Sequence, residues 1–303
     1  TAEPQPESLR IAIDTPRLAG SIALTGGRID DLQLRNFRET LAPDSDLVHL
    51  LNPVSGERHP FYALYGWTPR GTLDYAQVPG PNTAWEQVGD NALTPEAPVT
   101  LRWDNAAGLI FTRILAVDDN SMFTVTQSVE NNTGVEVSLD PYGILAQHGL
   151  PPDLVNFYIS HEGLVQLNDG TLIEDDYSDM VDYVVSERER TPTHQVEAAT
   201  NGWIGFTSKY FMATLIGMPG QPVTTVAQHV PGADIYQASI RQPTVTIAPG
   251  ASASVQSMLF TGAKESATLR GYEDDLGIDR FVDAIDWGWF FFLTKPIFLL
   301  LNF

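Results

Sequence analysis

A histidine placed beside a carboxylate is the commonest device for moving a proton near neutral pH, so the histidines are the first residues to weigh. There are six: His49, His59, His148, His161, His194 and His229. Interconverting sugar anomers would need a base and an acid, usually a Glu and a His, converging on one hydroxyl. The stretch "AQHGLPP" around His148 is the most pocket-like setting, but no histidine sits in a motif that fixes a partner. All six read as loop or strand-edge side chains. The acidic runs "EDDYSD" and "YEDDLGID" could attract Ca²⁺, yet neither has the D-x-D-x-D-G spacing that wraps oxygens around one ion, and both read as solvated surface. Trp203, Tyr210 and Phe211 could line a ligand platform, although aromatics in strand-like sequence belong more often to a core.

Whole classes of chemistry drop out. Cysteine is absent, which removes disulfides, thiolate metal sites and a cysteine nucleophile. No glycine-rich phosphate cradle occurs, and no histidine pair has metal-ligand spacing. Neither a cofactor nor a metal is expected. With 17 Lys and Arg against 38 Asp and Glu the net charge is −21, which repels nucleic acid and anionic lipid alike. Any membrane contact must therefore be apolar and local.

The elements that would position such residues are strands. At 43% hydrophobic and 18% charged, 303 residues suffice for a large core. "SLRIAID" puts Leu9, Ile11 and Ile13 on one face, and "SIALTGGRIDDLQL" reads as two strands about Gly26-Gly27. Strand and turn signals continue through "GLIFTRILAV", "MFTVTQSVEN", "GLVQLNDGTLIED" (turn at Asp169-Gly170) and "NGWIGFTSKYFMATLIGMP" to about residue 265. No long helix is predicted in this stretch. Many strands without alternating helices imply two antiparallel sheets packed face to face. The Pro/Gly-rich segment 69–98 is expected to lie as a connection over a sheet edge.

After Glu265 the pattern changes. Asp279, Phe281, Val282, Ile285 and Trp289 follow helical spacing, which predicts one or more helices. From Trp287 to Phe303 only Thr294, Lys295 and Asn302 are strongly polar, and Pro296 favours a break near Thr294. This run falls short of the roughly 20 residues that span a bilayer. Its tryptophans, phenylalanines and single snorkelling lysine suit a segment lying in the headgroup region or leading into a span. The membrane-interface set is Trp287, Trp289, Phe291, Phe292, Lys295, Pro296, Ile297, Phe298 and Leu300.

The order of "GGRIDDLQL", "FTRILAVDDNSMFTVTQSVEN", "NGWIGFTSKYFMATLI" and "IDWGWFFFLTKPIFLLLNF" resembles the periplasmic domain of Gram-negative YidC-type membrane protein insertases. The most specific pieces are Asn201-Gly202-Trp203 with Tyr210-Phe211, and Trp287-Gly288-Trp289 followed by Lys295-Pro296 and Leu299-Leu300. The resemblance implies a large antiparallel β-supersandwich akin to galactose mutarotase, with C-terminal helices. Four parts are then expected: a linker at 1–7 from a first transmembrane helix, the periplasmic sandwich at 8–265, a helical segment at 266–293 packing on it, and the start of an interfacial amphipathic helix at 294–303. It further implies an inner-membrane insertase working alone or with the Sec translocon, whose partners are SecDF, nascent membrane proteins and lipid at the C-terminal end. The cationic insertion groove of such proteins belongs to a membrane core beyond this sequence. On this reading the chain is a docking and spacing module and no enzyme. The alternative is a carbohydrate-active sandwich protein, either an aldose epimerase-like enzyme or a sugar- or peptide-binding module.

Overall fold

The computed structural model describes residues 9–42, 44–154 and 161–285. The strands among them are, in chain order, β1 (Arg10–Asp14), β2 (Leu18–Ala23), β3 (Arg28–Arg38), β4 (Leu47–Leu51), β5 (Phe61–Pro69), β6 (Glu86–Val88), β7 (Val99–Asp104), β8 (Leu109–Val117), β9 (Met122–Asn131) and β10 (Val137–His148). They continue as β11 (Gly163–Asn168), β12 (Thr171–Asp175), β13 (Thr193–Ala198), β14 (Gly202–Thr207), β15 (Phe211–Gly217), β16 (Val223–Val230), β17 (Ile235–Arg241), β18 (Val245–Ile247) and β19 (Ser252–Ala263). Helix α1 (Tyr177–Val181) is a single short turn and α2 (Ser266–Leu276) follows the last strand.

These strands make two antiparallel sheets, as the turn-punctuated sequence predicts. One has ten strands in the order β1-β2-β3-β5-β10-β17-β16-β13, with β4 on β3 and β18 on β10. The other has nine, in the order β12-β11-β14-β15-β19-β9-β8-β7-β6. The two predicted hairpins are present, with Gly26, Gly27, Asp169 and Gly170 all at positive φ. Segment 69–98 does more than cover an edge. Its Val78, Trp85 and Leu93 are buried, β6 joins β7, and Leu93 exchanges backbone hydrogen bonds with Ala12 and Asp14. The connection thereby binds the edge strand of one sheet to that of the other.

Period-two alternation sends side chains from both sheets into one core. On β8, Leu109, Phe111, Leu115 and Val117 point inward, and so does Arg113, 1% exposed. Among the described residues its guanidinium meets no carboxylate. It donates to the carbonyls of Gly26, Gly27 and Tyr65 and lies over the Trp85 ring, 4.6 Å from the centroid. Burial lowers its pKa to about 10, so the group stays charged at neutral pH.

A second apolar cluster covers the outer face of the nine-stranded sheet. Trp203, Ile216, Met258 and Phe260 face outward there, against Leu269, Tyr272, Ile278, Phe281 and Val282. Strands β11 and β14 are consequently buried at every position. The C-terminal helix itself starts earlier than the spacing of Asp279 to Trp289 predicts. Gly277, in the left-handed region at φ 72°, stops α2, and Phe281–Ala284 forms only a 3-10 turn. The acidic runs are not simply solvated either. In the first, Asp175 accepts a hydrogen bond from Tyr183 and α1 buries Tyr177 and Met180; in the second, Tyr272 is buried and Glu273 accepts from the Val282 amide. Turns and helix ends recruit carboxylates for orphan N–H groups, which composition alone does not reveal. Among the described residues no helix is long and apolar enough to cross a membrane.

Candidate functional site

Among the described residues, the outer face of the ten-stranded sheet carries no such cover over its central strands. Register sets Tyr142 of β10 between Gly66 of β5 and Arg241 of β17, Ile144 opposite Ser239, and Gln237 opposite Gln228 of β16. Together they floor a groove of about 580 Å³, walled on one side by Tyr75 and Pro79-Gly80-Pro81 and on the other by Arg188 and Glu189. The Tyr142 ring lies along the sheet because Gly66 leaves room for it; a Cβ at Gly66 would stand 2.4 Å from the Tyr142 hydroxyl. Burial raises the Tyr142 pKa, so the phenol stays neutral at physiological pH.

The walls are anchored. Arg28 donates to the Pro81 carbonyl at 2.9 Å, Asn105 to that of Gln77 at 2.9 Å, and Arg241 to Glu189 at 2.8 Å. Asp140 at one end is paired with Arg70 and accepts from Thr244 at 2.6 Å. Both acidic side chains of the groove are therefore engaged. The carboxamide oxygen of Gln228, a residue 9% exposed, has no hydrogen-bond partner among the described residues.

The histidines weighed for proton transfer do not meet here, in keeping with their reading as loop or strand-edge side chains. His148 lies at the far end of β10 with its Nε2 3.4 Å from the Tyr62 hydroxyl, and burial lowers its pKa. His49 is also depressed by burial, while His59 is exposed. His161 contacts the Leu164 carbonyl at 2.8 Å, His194 the Gln166 amide at 3.2 Å, and His229 the Asp234 carboxylate at 3.3 Å. No histidine lines the groove. Among the described residues no cluster of His, Asp and Glu could hold a metal ion.

The motif residues lie on the opposite sheet. Asn201 closes a turn that is tied to Asp169: the carboxylate accepts from the backbone amides of Ala199, Thr200 and Asn201 at 2.6, 2.9 and 3.1 Å. Those three donors hold its pKa down to about 2. Gly202 is required by proximity, since a Cβ would stand 2.5 Å from Val223. Trp203 is core, 1% exposed, with its indole N–H donating to the Asp279 carbonyl at 3.0 Å. Phe211 packs edge-on to Phe37. Tyr210 departs from the core expectation. It is 61% exposed, because it sits in the turn before β15, where the chain reverses and alternation lapses. The interface set Trp287, Trp289, Phe291, Phe292, Lys295, Pro296, Ile297, Phe298 and Leu300 lies outside the described residues.

Comparison with known families bears on what these surfaces serve. Residues 10–300 match the family described as the YidC periplasmic domain. The chain belongs to this family. It is 56% identical over 301 residues to the membrane protein insertase YidC of Dinoroseobacter shibae, covering 99% of this chain and 49% of that protein. It is 54% identical over 306 residues to the protein of the same name from Cereibacter sphaeroides, covering 98% and 49%. The chain thus spans about half the length of the curated relatives it matches. Among solved structures, a galactose mutarotase related enzyme from Lactobacillus acidophilus superposes with a TM-score of 0.52 at 12% identity, over 84% of this chain and 97% of that one. At that identity the likeness is one of fold. This chain is a mutarotase-like sandwich by fold, and its histidines are not assembled as an acid–base pair in the groove.

Proposed function

We propose that this chain is the periplasmic docking and spacing module of a membrane protein insertase in a Gram-negative inner membrane, with no catalytic residue of its own. The family match over residues 10–300 carries this reading. The engaged state of Asp140 and Glu189 and the dispersal of the histidines support the absence of catalysis. The partners are accessory subunits of the Sec translocon (SecDF), nascent membrane proteins reached through the full-length insertase, and lipid at the C-terminal end. There Trp287 to Phe303 would lie along the headgroups, Lys295 snorkelling to water. The expected division is a linker at 1–7, the sandwich at 8–265, a helical segment at 266–293 and the start of an interfacial helix at 294–303.

The test is copurification of SecDF with the full-length insertase, intact and with residues 10–285 deleted. Loss on deletion is expected; equal recovery rejects the docking role. Polarimetry with galactose and glucose should give the buffer rate of mutarotation. A rate enhancement that His148→Ala abolishes would make the chain an epimerase. Neutral lipid vesicles should float the chain, and less so after removal of 294–303; equal flotation rejects the interfacial assignment.

A further inference from the structure

We propose that the corner of the sandwich formed by the β14–β15 turn and the β3–β4 hairpin seats on the headgroup layer of a bilayer, with Leu41 and Tyr210 entering it and Lys209 and Lys264 meeting lipid phosphates. That this bilayer is the one an insertase serves rests on the reading above; the contact chemistry does not. Phe37 of β3 and Phe211 of β15 meet edge-on with ring centroids 5.5 Å apart, and Tyr210 continues the row 6.2 Å from Phe211. The row ends at the surface, where Tyr210 is 61% exposed. Beyond Phe37 the hairpin carries Leu41 near its tip, wholly exposed.

Single exposed apolar residues are ordinary, but the neighbours of these two are not. The chain has three lysines. Lys209 holds its ammonium 5.0 Å from the Tyr210 ring, and the backbone amide of Lys264 donates to the Tyr210 carbonyl at 2.8 Å. The third, Lys295, falls in the segment assigned to the headgroups above. Charge then decides where so acidic a domain can approach a membrane. The net charge is −21, yet the corner is balanced: residues 35–46 hold two basic and three acidic side chains, 208–211 one basic, and 263–265 one of each. Asp14 and Glu265 are paired with Arg35 and Arg17. A tyrosine flanked by lysines suits a water–lipid boundary, the ring at headgroup depth and the ammonium groups reaching phosphate. A protein partner would want a continuous patch of roughly 800 Å², whereas the apolar groups here are separate tips on two turns. A zwitterionic bilayer fits them.

The absence of cysteine lets a single dye be placed on the 303-residue chain. Leu41→Cys carrying a polarity-sensitive dye, mixed with phosphatidylcholine vesicles, should shift to the blue and be quenched by nitroxide lipids. The same dye at Val135→Cys, 66% exposed at the opposite end of the nine-stranded sheet, should do neither. This readout leaves Tyr210 and both lysines in place. Adding Tyr210→Ser or Lys209→Glu to the labelled chain should raise the lipid concentration for half-maximal quenching about threefold or more. Inorganic phosphate should compete no better than sodium chloride at equal ionic strength. A silent dye at Leu41, an equal response at Val135, or quenching unchanged by both substitutions overturns the proposal. Specific competition by phosphate would make the corner an anion site, and a dye response to SecDF without one to vesicles a protein contact; each overturns it as well. Quenching at Leu41 with SecDF copurification unaffected by deletion of 10–285 counts against the docking reading alone, and the reverse result against this proposal alone.

Discussion

The two sheets share one core but treat their outer faces in opposite ways. On the nine-stranded sheet, α2 and the turn after it lay Leu269, Tyr272, Ile278, Phe281 and Val282 over Trp203, Met258 and Phe260. On the ten-stranded sheet the described residues leave the corresponding surface to Tyr142, Gln228, Gln237, Ser239 and Arg241. One face holds the segment from Ser266 to Ile285 in place. The other carries polar groups, several of them paired with one another. A sandwich needs its inner faces for folding, so the outer faces are free to differ in what covers them.

The largest effect should come from breaking the covered face. Trp203 is 1% exposed, meets Phe281 edge-on at 5.6 Å and bonds the Asp279 carbonyl. Trp203→Ala removes ring contacts and orphans that carbonyl, at about 3–5 kcal/mol for an aromatic-to-alanine cavity. Urea denaturation should show the loss, and hydrogen exchange should show α2 deprotected. A loss below about 1 kcal/mol would mean that the cap contributes little and the contrast is false.

A smaller effect isolates the polar tie of the same cap. The Tyr272 hydroxyl donates to both carboxylate oxygens of Asp118, at 3.0 and 2.8 Å, in the turn before β9. Hydrogen bonds to charged partners contribute about 1.5–3 kcal/mol, so Tyr272→Phe should cost about that much with the ring still packed. If Tyr272→Phe matches wild type in denaturant, apolar burial alone holds the helix.

Smaller again is an acid-sensitive tie at the end of the covered sheet. Three backbone amides hold the folded Asp169 carboxyl at about 2, against 3.8 ordinarily. A depressed folded pKa contributes stability that is complete above about pH 4 and lost as pH falls toward about 2. The urea midpoint of wild type should therefore drop between pH 5 and pH 2.5 by more than that of Asp169→Asn. Parallel drops would show that the carboxylate charge is immaterial to the turn.

The same contrast governs what the sequence could show. Alternation along "GLIFTRILAV" gives β8 and its inward face, and positive-φ residue pairs give the hairpins, because these are local effects of a two-residue period and backbone sterics. Arg113 occupies an inward phase of that alternation, so its burial was readable there, although its carbonyl partners, 48 to 87 residues away in sequence, were not. "NGWIGFTSKYFMATLIGMP" lacks alternation because β14 and β15 are covered on both faces, a fact that depends on a helix some fifty residues further on. The groove left no motif at all. Tyr142, Gln228 and Ser239 come from three strands and meet only through register. Histidines drew attention instead because their chemistry is visible one residue at a time.

The smallest expected effect has the opposite sign. Gln228 carries a buried oxygen with no partner, a burden on the folded state that the unfolded chain, hydrated, does not bear. Methionine has nearly the same length and shape without the carboxamide, so Gln228→Met removes the unmet acceptor without opening a cavity. Replacing an unsatisfied polar group by an apolar one of similar shape is neutral to stabilising, here by up to about 1 kcal/mol. The free chain should melt no lower than wild type and up to a few degrees higher. Had the glutamine been structural, its replacement would lower the melting temperature as Tyr272→Phe does, and scanning calorimetry of the two variants side by side distinguishes the cases.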